Sequence, residues 1–173
     1  MEQENGQKKL ARQFDALRSG NRTAILGALK ELRMEGELAV LPELFELLLD
    51  QEDEQILADT RNILNDLKDP QAAAIIAGAI NKNEYEEIRS VLVAACWQNG
   101  LSYGDYLEEF VKAALHGDYM TTIEAFTVIE GTIGEVDQSR REKAIETIRT
   151  QMAGADEQKK RLLSELVSVI ASF

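Results

Sequence analysis

A chain of 173 residues suits one domain or one short repeat array, and it buries about 70% of its unfolded surface without needing a metal or disulfide staple. Its 31 acidic side chains outnumber 19 basic ones for a net charge of -12, with the excess densest in residues 51–115 (12 acidic, 5 basic), a balance that repels phosphate backbones and argues against nucleic-acid binding. One cysteine, Cys96, excludes an internal disulfide; no stretch nears the ~20 apolar residues of a membrane span, and no basic-then-apolar secretory signal opens the chain, so a reducing, cytoplasmic setting with no membrane partner is expected.

Residues 1–6 are polar and are expected to fray, leaving residues 7–173 as a single helical domain. From there apolar residues recur at helical spacing and predict helices over 7–18, 22–34, 40–50, 53–68, 70–81, 84–98, 103–115, 119–134, 139–153 and 157–172. Helix 22–34 buries Ile25, Ala28, Leu29 and Leu32. Pro42 falls in the first turn of the next helix, where a missing donor is tolerated. Helix 53–68 puts Ile56, Thr60, Ile63, Leu64 and Leu67 on one side, with Gln55, Asp59, Asn62 and Asp66 on the other. Asp69, just before Pro70, is a capping residue for helix 70–81. That helix is apolar on nearly every side from Ala72 to Ile80, which predicts enclosure by neighbours.

Helix 84–98 repeats the stripe with Ile88, Val91, Leu92, Ala95 and Cys96. Segment 119–134 holds Thr121, Thr122, Ile123, Thr127, Val128, Ile129, Thr132 and Ile133, β-branched residues that suit a strand. Its place in the repeat and the helical step through Ile123, Phe126 and Ile129 predict a helix instead. The last helix runs apolar through Leu163, Leu166, Val167 and Ile170 to Phe173. It closes the array as a cap with Lys159, Lys160 and Arg161 outward, or offers a face for self-association. Gly20, Gly36, Gly100, Gly117 and Gly154 fall in the gaps, as helix-ending glycines do.

The turns within helix pairs lie near Gly20, Gln51, Lys82, Gly117 and Gly154, a step of 31 to 37 residues. Within that pattern, Val40-Leu41-Pro42-Glu43-Leu44-Phe45-Glu46-Leu47-Leu48-Leu49-Asp50 joins an early proline, a leucine ladder and an aspartate at the turn. The next second helix carries Ile88-Arg89-Ser90-Val91-Leu92-Val93-Ala94-Ala95 and ends at Gly100. These residues resemble the HEAT-repeat family of armadillo-like α-solenoids. Leu57 and Glu124 stand where that family's arginine would be in the second and fourth units. The resemblance implies an all-α, right-handed α-solenoid of about five antiparallel helix pairs. It also implies scaffolding and protein recognition rather than chemistry, with second helices lining the concave side.

The residues offer little to catalysis. His116 is the one histidine, so a His-based triad or a His-His metal site lacks its second member. Cys96 faces inward with Ile88 and Leu92 by spacing, which predicts an inert thiol. Counting from Asp50 as a calcium loop, Gln55 holds the glycine position and Arg61 the chelating glutamate position, so the loop fails. No catalytic residue, cofactor or metal site is expected.

Recognition is the remaining class. By helical phase Asp59, Asn62 and Asp66 share a face, and Ser90, Ala94 and Trp97 share the corresponding region one unit on. Trp97, the only tryptophan, is an aromatic among acids and suits a basic, partly apolar segment; packing against the next unit is its alternative role. The expected function is a non-catalytic scaffold or adaptor binding another protein or peptide through an acidic groove lined by the second helices. The alternatives are a helical-repeat enzyme or nucleic-acid-processing module, for which only Lys159 to Arg161 and the Arg140-Arg141 pair supply a basic run, or a homo-oligomer built through the terminal helices.

Overall fold

A computed structural model describes residues 2–35 and 37–173, with side chains from Gly6 onward except at residue 35. Gly36, expected to end the second helix, lies outside the described residues. Within them the chain is all-α and contains no strand. The helices are α1 (Glu2–Leu17), α2 (Arg22–Glu35), α3 (Leu41–Asp50), α4 (Glu54–Asn65), α5 (Gln71–Ala79), α6 (Arg89–Asn99), α7 (Leu107–His116), α8 (Tyr119–Thr132), α9 (Gln138–Gln151) and α10 (Glu157–Ala171). α1 starts at Glu2, ahead of the expected residue 7. Tighter 3-10 turns over Asn83–Ile88 and Gly104–Tyr106 replace the first turns expected of the helices at 84 and 103. No described helix is long and apolar enough to cross a membrane.

Helix starts follow from aspartates. Asp53, Asp118, Asp137 and Asp156 each accept a hydrogen bond from a backbone N–H in the first turn that follows, at Ile56, Thr121, Arg140 and Lys159 respectively, over 2.7–3.1 Å. Asp69 Oδ1 likewise accepts from Gln71 N at 2.9 Å. At the other ends, Gly20 (φ +66°) and Gly100 (φ +68°) take the left-handed conformation that closes a helix. Gly117 is held by crowding instead: a Cβ there would lie 2.6 Å from Thr121 Cβ and 2.7 Å from the Ala113 carbonyl oxygen.

The helices sort into two compact units, Met1–Leu67 and Lys68–Phe173. In the first, α1 packs on α2 and α3 on α4, while α1 also touches α3 and α2 touches α4. In the second, α5, α7 and α9 pack on α6, α8 and α10, and each helix also meets the next but one: α5 on α7, α7 on α9, α6 on α8, α8 on α10. Ile25, Leu29, Leu41, Leu44, Phe45, Ile56 and Leu64 are buried in the first unit, and Ile76, Leu92, Phe110, Ile129, Ile148, Leu163 and Leu166 in the second. Each contributes roughly 1.5–3 kcal/mol through burial.

Polar contacts link residues 25 to 33 positions apart, most of them close to the repeat step. In the first unit Arg18 Nε donates to Glu43 Oε2 (2.7 Å), Arg22 Nε to Asp53 Oδ2 (2.7 Å) and Arg33 Nη2 to Asp66 Oδ2 (2.6 Å), across 25, 31 and 33 residues. In the second, Lys68 Nζ donates to the Asn99 carbonyl (3.0 Å), Asn81 Nδ2 to Glu109 Oε2 (2.8 Å) and Ser102 Oγ to Glu135 Oε2 (2.7 Å), across 31, 28 and 33 residues. Arg140 Nη2 reaches back 32 residues to Glu108 Oε2.

Two expectations need correction. The apolar helix α5 is not enclosed on all sides: Ala74 and Gly78 are exposed and Ile75 is half-buried. The two exposed positions are small, so little apolar area meets water there. Lys159 does not point outward with its neighbours. It is 8% exposed, and its Nζ donates to the carbonyls of Leu115 (2.8 Å) and Gly117 (2.6 Å). Arg161 is exposed as expected, and Lys160 is half-buried. The β-branched segment is helical as α8. Thr122, Thr127 and Thr132 turn their hydroxyls back to carbonyls four residues earlier, which satisfies them inside the helix.

Candidate interaction surface

In the first unit Asp59 lines an opening of about 370 Å³ between α2 and α4, with Leu26, Lys30 and Arg33 from one helix and Gln55 and Ile63 from its own. Asp59 is half-buried, and its Oδ1 accepts from Gln55 Nε2 one turn earlier at 2.9 Å. Asp66, at the end of α4, takes the Arg33 guanidinium, and Asn62 is exposed. This groove is therefore of mixed charge, with two cations beside Asp59. At its turn, the Arg22 hydrogen bond and two helix N–H groups hold the Asp53 carboxyl below the usual range.

In the second unit Ser90 and Trp97 lie two turns apart on α6 and so share a side of it. Ser90 is half-buried. Trp97 is 47% exposed, and its indole N–H donates to Glu124 Oε2 on α8 at 2.6 Å. Beside the indole a cavity of about 250 Å³ opens between the end of α6, the segment 100–103 and α8. Trp97, Leu101 and Val128 give it apolar walls, and Ser102, Thr127 and Glu135 a polar rim. No lysine or arginine lines it. Across residues 90–139 the chain has eight Asp and Glu against one Lys, Lys112, whose ammonium donates to Glu109.

The cavity's inner wall is chemically quiet. Burial pushes the Cys96 thiol up to about 12, and its Sγ donates to the Leu92 carbonyl at 3.3 Å. Tyr103 is also pushed up by burial; its hydroxyl meets Asn99 Nδ2 at 3.1 Å, and its ring packs edge-on to Phe110 with centroids 5.5 Å apart. A neutral, enclosed thiol is neither a nucleophile nor a ligand at neutral pH.

A third opening, about 420 Å³, joins the α7–α8 and α9–α10 turns, where His116, Asp118, Tyr119, Met152 and Asp156 surround buried Lys159. Burial lowers the Lys159 ammonium against the opposing charges of Asp156 and Asp118. Asp118 is held low first by Thr121, through side chain and backbone, and then by the charges of Lys159 and Arg89. Arg89 is itself buried and donates through Nε to the Ile80 carbonyl at 2.8 Å. Among the described residues, no group of three or more His, Cys, Asp or Glu side chains is placed to hold a metal ion.

The predicted residues thus fall into two sets: Asp59, Asn62 and Asp66 in the first unit, Ser90 and Trp97 in the second. Sequence reasoning missed Glu135 and Ser102 beside Trp97, and the buried cations Arg89 and Lys159. Lys159 had a signal, because it stands four, seven and eleven residues before Leu163, Leu166 and Ile170 and shares their inward phase. Among known proteins, no family profile, curated protein or solved structure matches this chain.

Proposed function

We propose that the chain is a HEAT-like α-solenoid of about five antiparallel helix pairs, a non-catalytic scaffold that binds a basic, partly apolar segment of another protein along its second helices. The solenoid reading is supported by the packing of each helix on its partner and on the next but one within each unit. Hydrogen bonds that recur at about one repeat step support it too. Stacked pairs of this kind present an extended face rather than an enclosed catalytic pocket.

The observation that carries the binding reading is Trp97. It is a half-exposed indole, fixed by Glu124, in a stretch with eight acids and one lysine. Aromatic anchors among acids favour cationic partners and rapid, salt-sensitive association. The test uses a fluorescein-labelled nonapeptide of alternating leucine and arginine, with anisotropy as the readout. Trp97→Ala is expected to weaken binding by about tenfold, as removal of an anchor does. Asp59→Lys with Asp66→Lys is expected to weaken it by repulsion while helicity by circular dichroism stays constant. No binding to the unaltered chain at low salt overturns the reading; unchanged affinity in the Asp59/Asp66 variant removes the first-unit groove from it.

A further inference from the structure

We propose that the cavity beside Trp97 is a pocket for a single arginine side chain, its stem lying along the indole and its guanidinium meeting Glu135. This rests on the basic-segment reading above and names the residue that such a segment must supply. Size is the first argument: about 250 Å³ falls below the 300–1,000 Å³ or so of small-molecule and cofactor sites, and suits one long side chain.

Chemistry selects the occupant. The walls pair apolar Trp97, Leu101 and Val128 with a rim carboxylate at Glu135. A flexible stem with a cationic end matches that division. Ser102 Oγ occupies Glu135 Oε2 at 2.7 Å, and a carboxylate with roughly four acceptor sites keeps others open for a planar, forked donor. A planar guanidinium engages a carboxylate in a fixed fork geometry, which an ammonium cannot match. Glu124 fixes the indole through its N–H, so little rotamer freedom is lost when the pocket fills.

The protein does not fill the site with a cation of its own. Lys68 is bound to the Asn99 carbonyl, Lys112 to Glu109 and Arg140 to Glu108, and none of them lines the cavity. Gly131 completes the opening: a Cβ there meets nothing within 4 Å. Because Gly131 lines the cavity and its Cβ position is open, Gly131→Met offers a plug that also replaces a poor helix former with a good one.

The experiment compares the leucine–arginine nonapeptide with its citrulline counterpart, which keeps the shape and loses the charge. The arginine peptide is expected to bind at least about tenfold more tightly, and Gly131→Met and Glu135→Gln are each expected to weaken it about fivefold or more. Binding should also shift Trp97 emission to the blue as water leaves the indole. Equal affinity for the two peptides, or full affinity in Gly131→Met, overturns the pocket. If binding survives both variants yet falls in Asp59→Lys with Asp66→Lys, the pocket alone fails. If the unaltered chain binds neither peptide, both readings fail.

Discussion

In the first unit Arg18, Arg22 and Arg33 reach Glu43, Asp53 and Asp66, 25 to 33 residues on, so these three acids are neutralised from within. The second unit uses the same step with different chemistry. Arg140 and Lys112 neutralise Glu108 and Glu109, but Glu124 and Glu135 accept from an indole and a hydroxyl, and Lys159 spends its charge on two carbonyls. A neutral donor satisfies an acceptor geometrically and leaves the carboxylate's charge in place. Similar net acidity can therefore mean internal glue in one region and an attractive field for a partner in another.

The comparison can be broken most sharply at Lys159. Lys159→Met is expected to cost about 2 kcal/mol in urea denaturation, because it strips a charged donor from two carbonyls. A loss under half of that would mean the ammonium's burial already offsets its bonds. Next in size is peptide affinity: Glu124→Gln with Glu135→Gln should weaken the leucine–arginine peptide about tenfold, while Asp59→Asn with Asp66→Asn should change it about twofold or less. The reverse order would sink the distinction between the two regions.

A smaller effect sharpens the picture at a helix start. Asp118→Ala is expected to cost about 1 kcal/mol at neutral pH through loss of the α8 cap. Asp118 is depressed from its ordinary 3.8, so its contribution is complete above that value and disappears as pH falls through the lowered one. Wild type and variant should therefore converge in stability in strong acid. Least of all is expected from Arg33→Met. Its ion pair with Asp66 is about half exposed on both sides, and the change should stay within about 0.5 kcal/mol and shrink further in high salt.

Much of the fold was legible because apolar phase is a strong signal. Ile56, Thr60, Ile63 and Leu64 are buried as α4's spacing requires, and Leu67, just past its end, is buried too. α8 was legible only through its place in the repeat, since its β-branched residues favour a strand locally and tertiary burial of Thr122, Val128 and Ile129 outweighs that preference. In α5 apolarity does not mean enclosure, because alanine and glycine can face water at little cost. Lys159 misled through its charge; its phase pointed inward, but the acceptors at the end of α7 come from a segment more than 40 residues away.

The candidate site was half legible. Trp97 stood out by uniqueness, and Asp59 and Asp66 by phase. Their neighbours did not stand out, because pairings such as Trp97 with Glu124 or Ser102 with Glu135 depend on how adjacent turns are laid side by side. The step itself was readable, and looking 31 residues beyond Arg22 does land on Asp53. What no periodicity conveys is which side chains turn toward one another across adjacent turns, and that decides which carboxylates keep room for a cationic ligand.

The enclosed sulfur of Cys96 has a practical corollary. With its proton held up to about 12 and its donor bond turned to Leu92, the native chain should behave toward maleimides at neutral pH as though it contained no thiol. A second cysteine placed on an outward position such as Ser164 would then be the sole point of attachment for a dye or spin label, with no need to mutate the original.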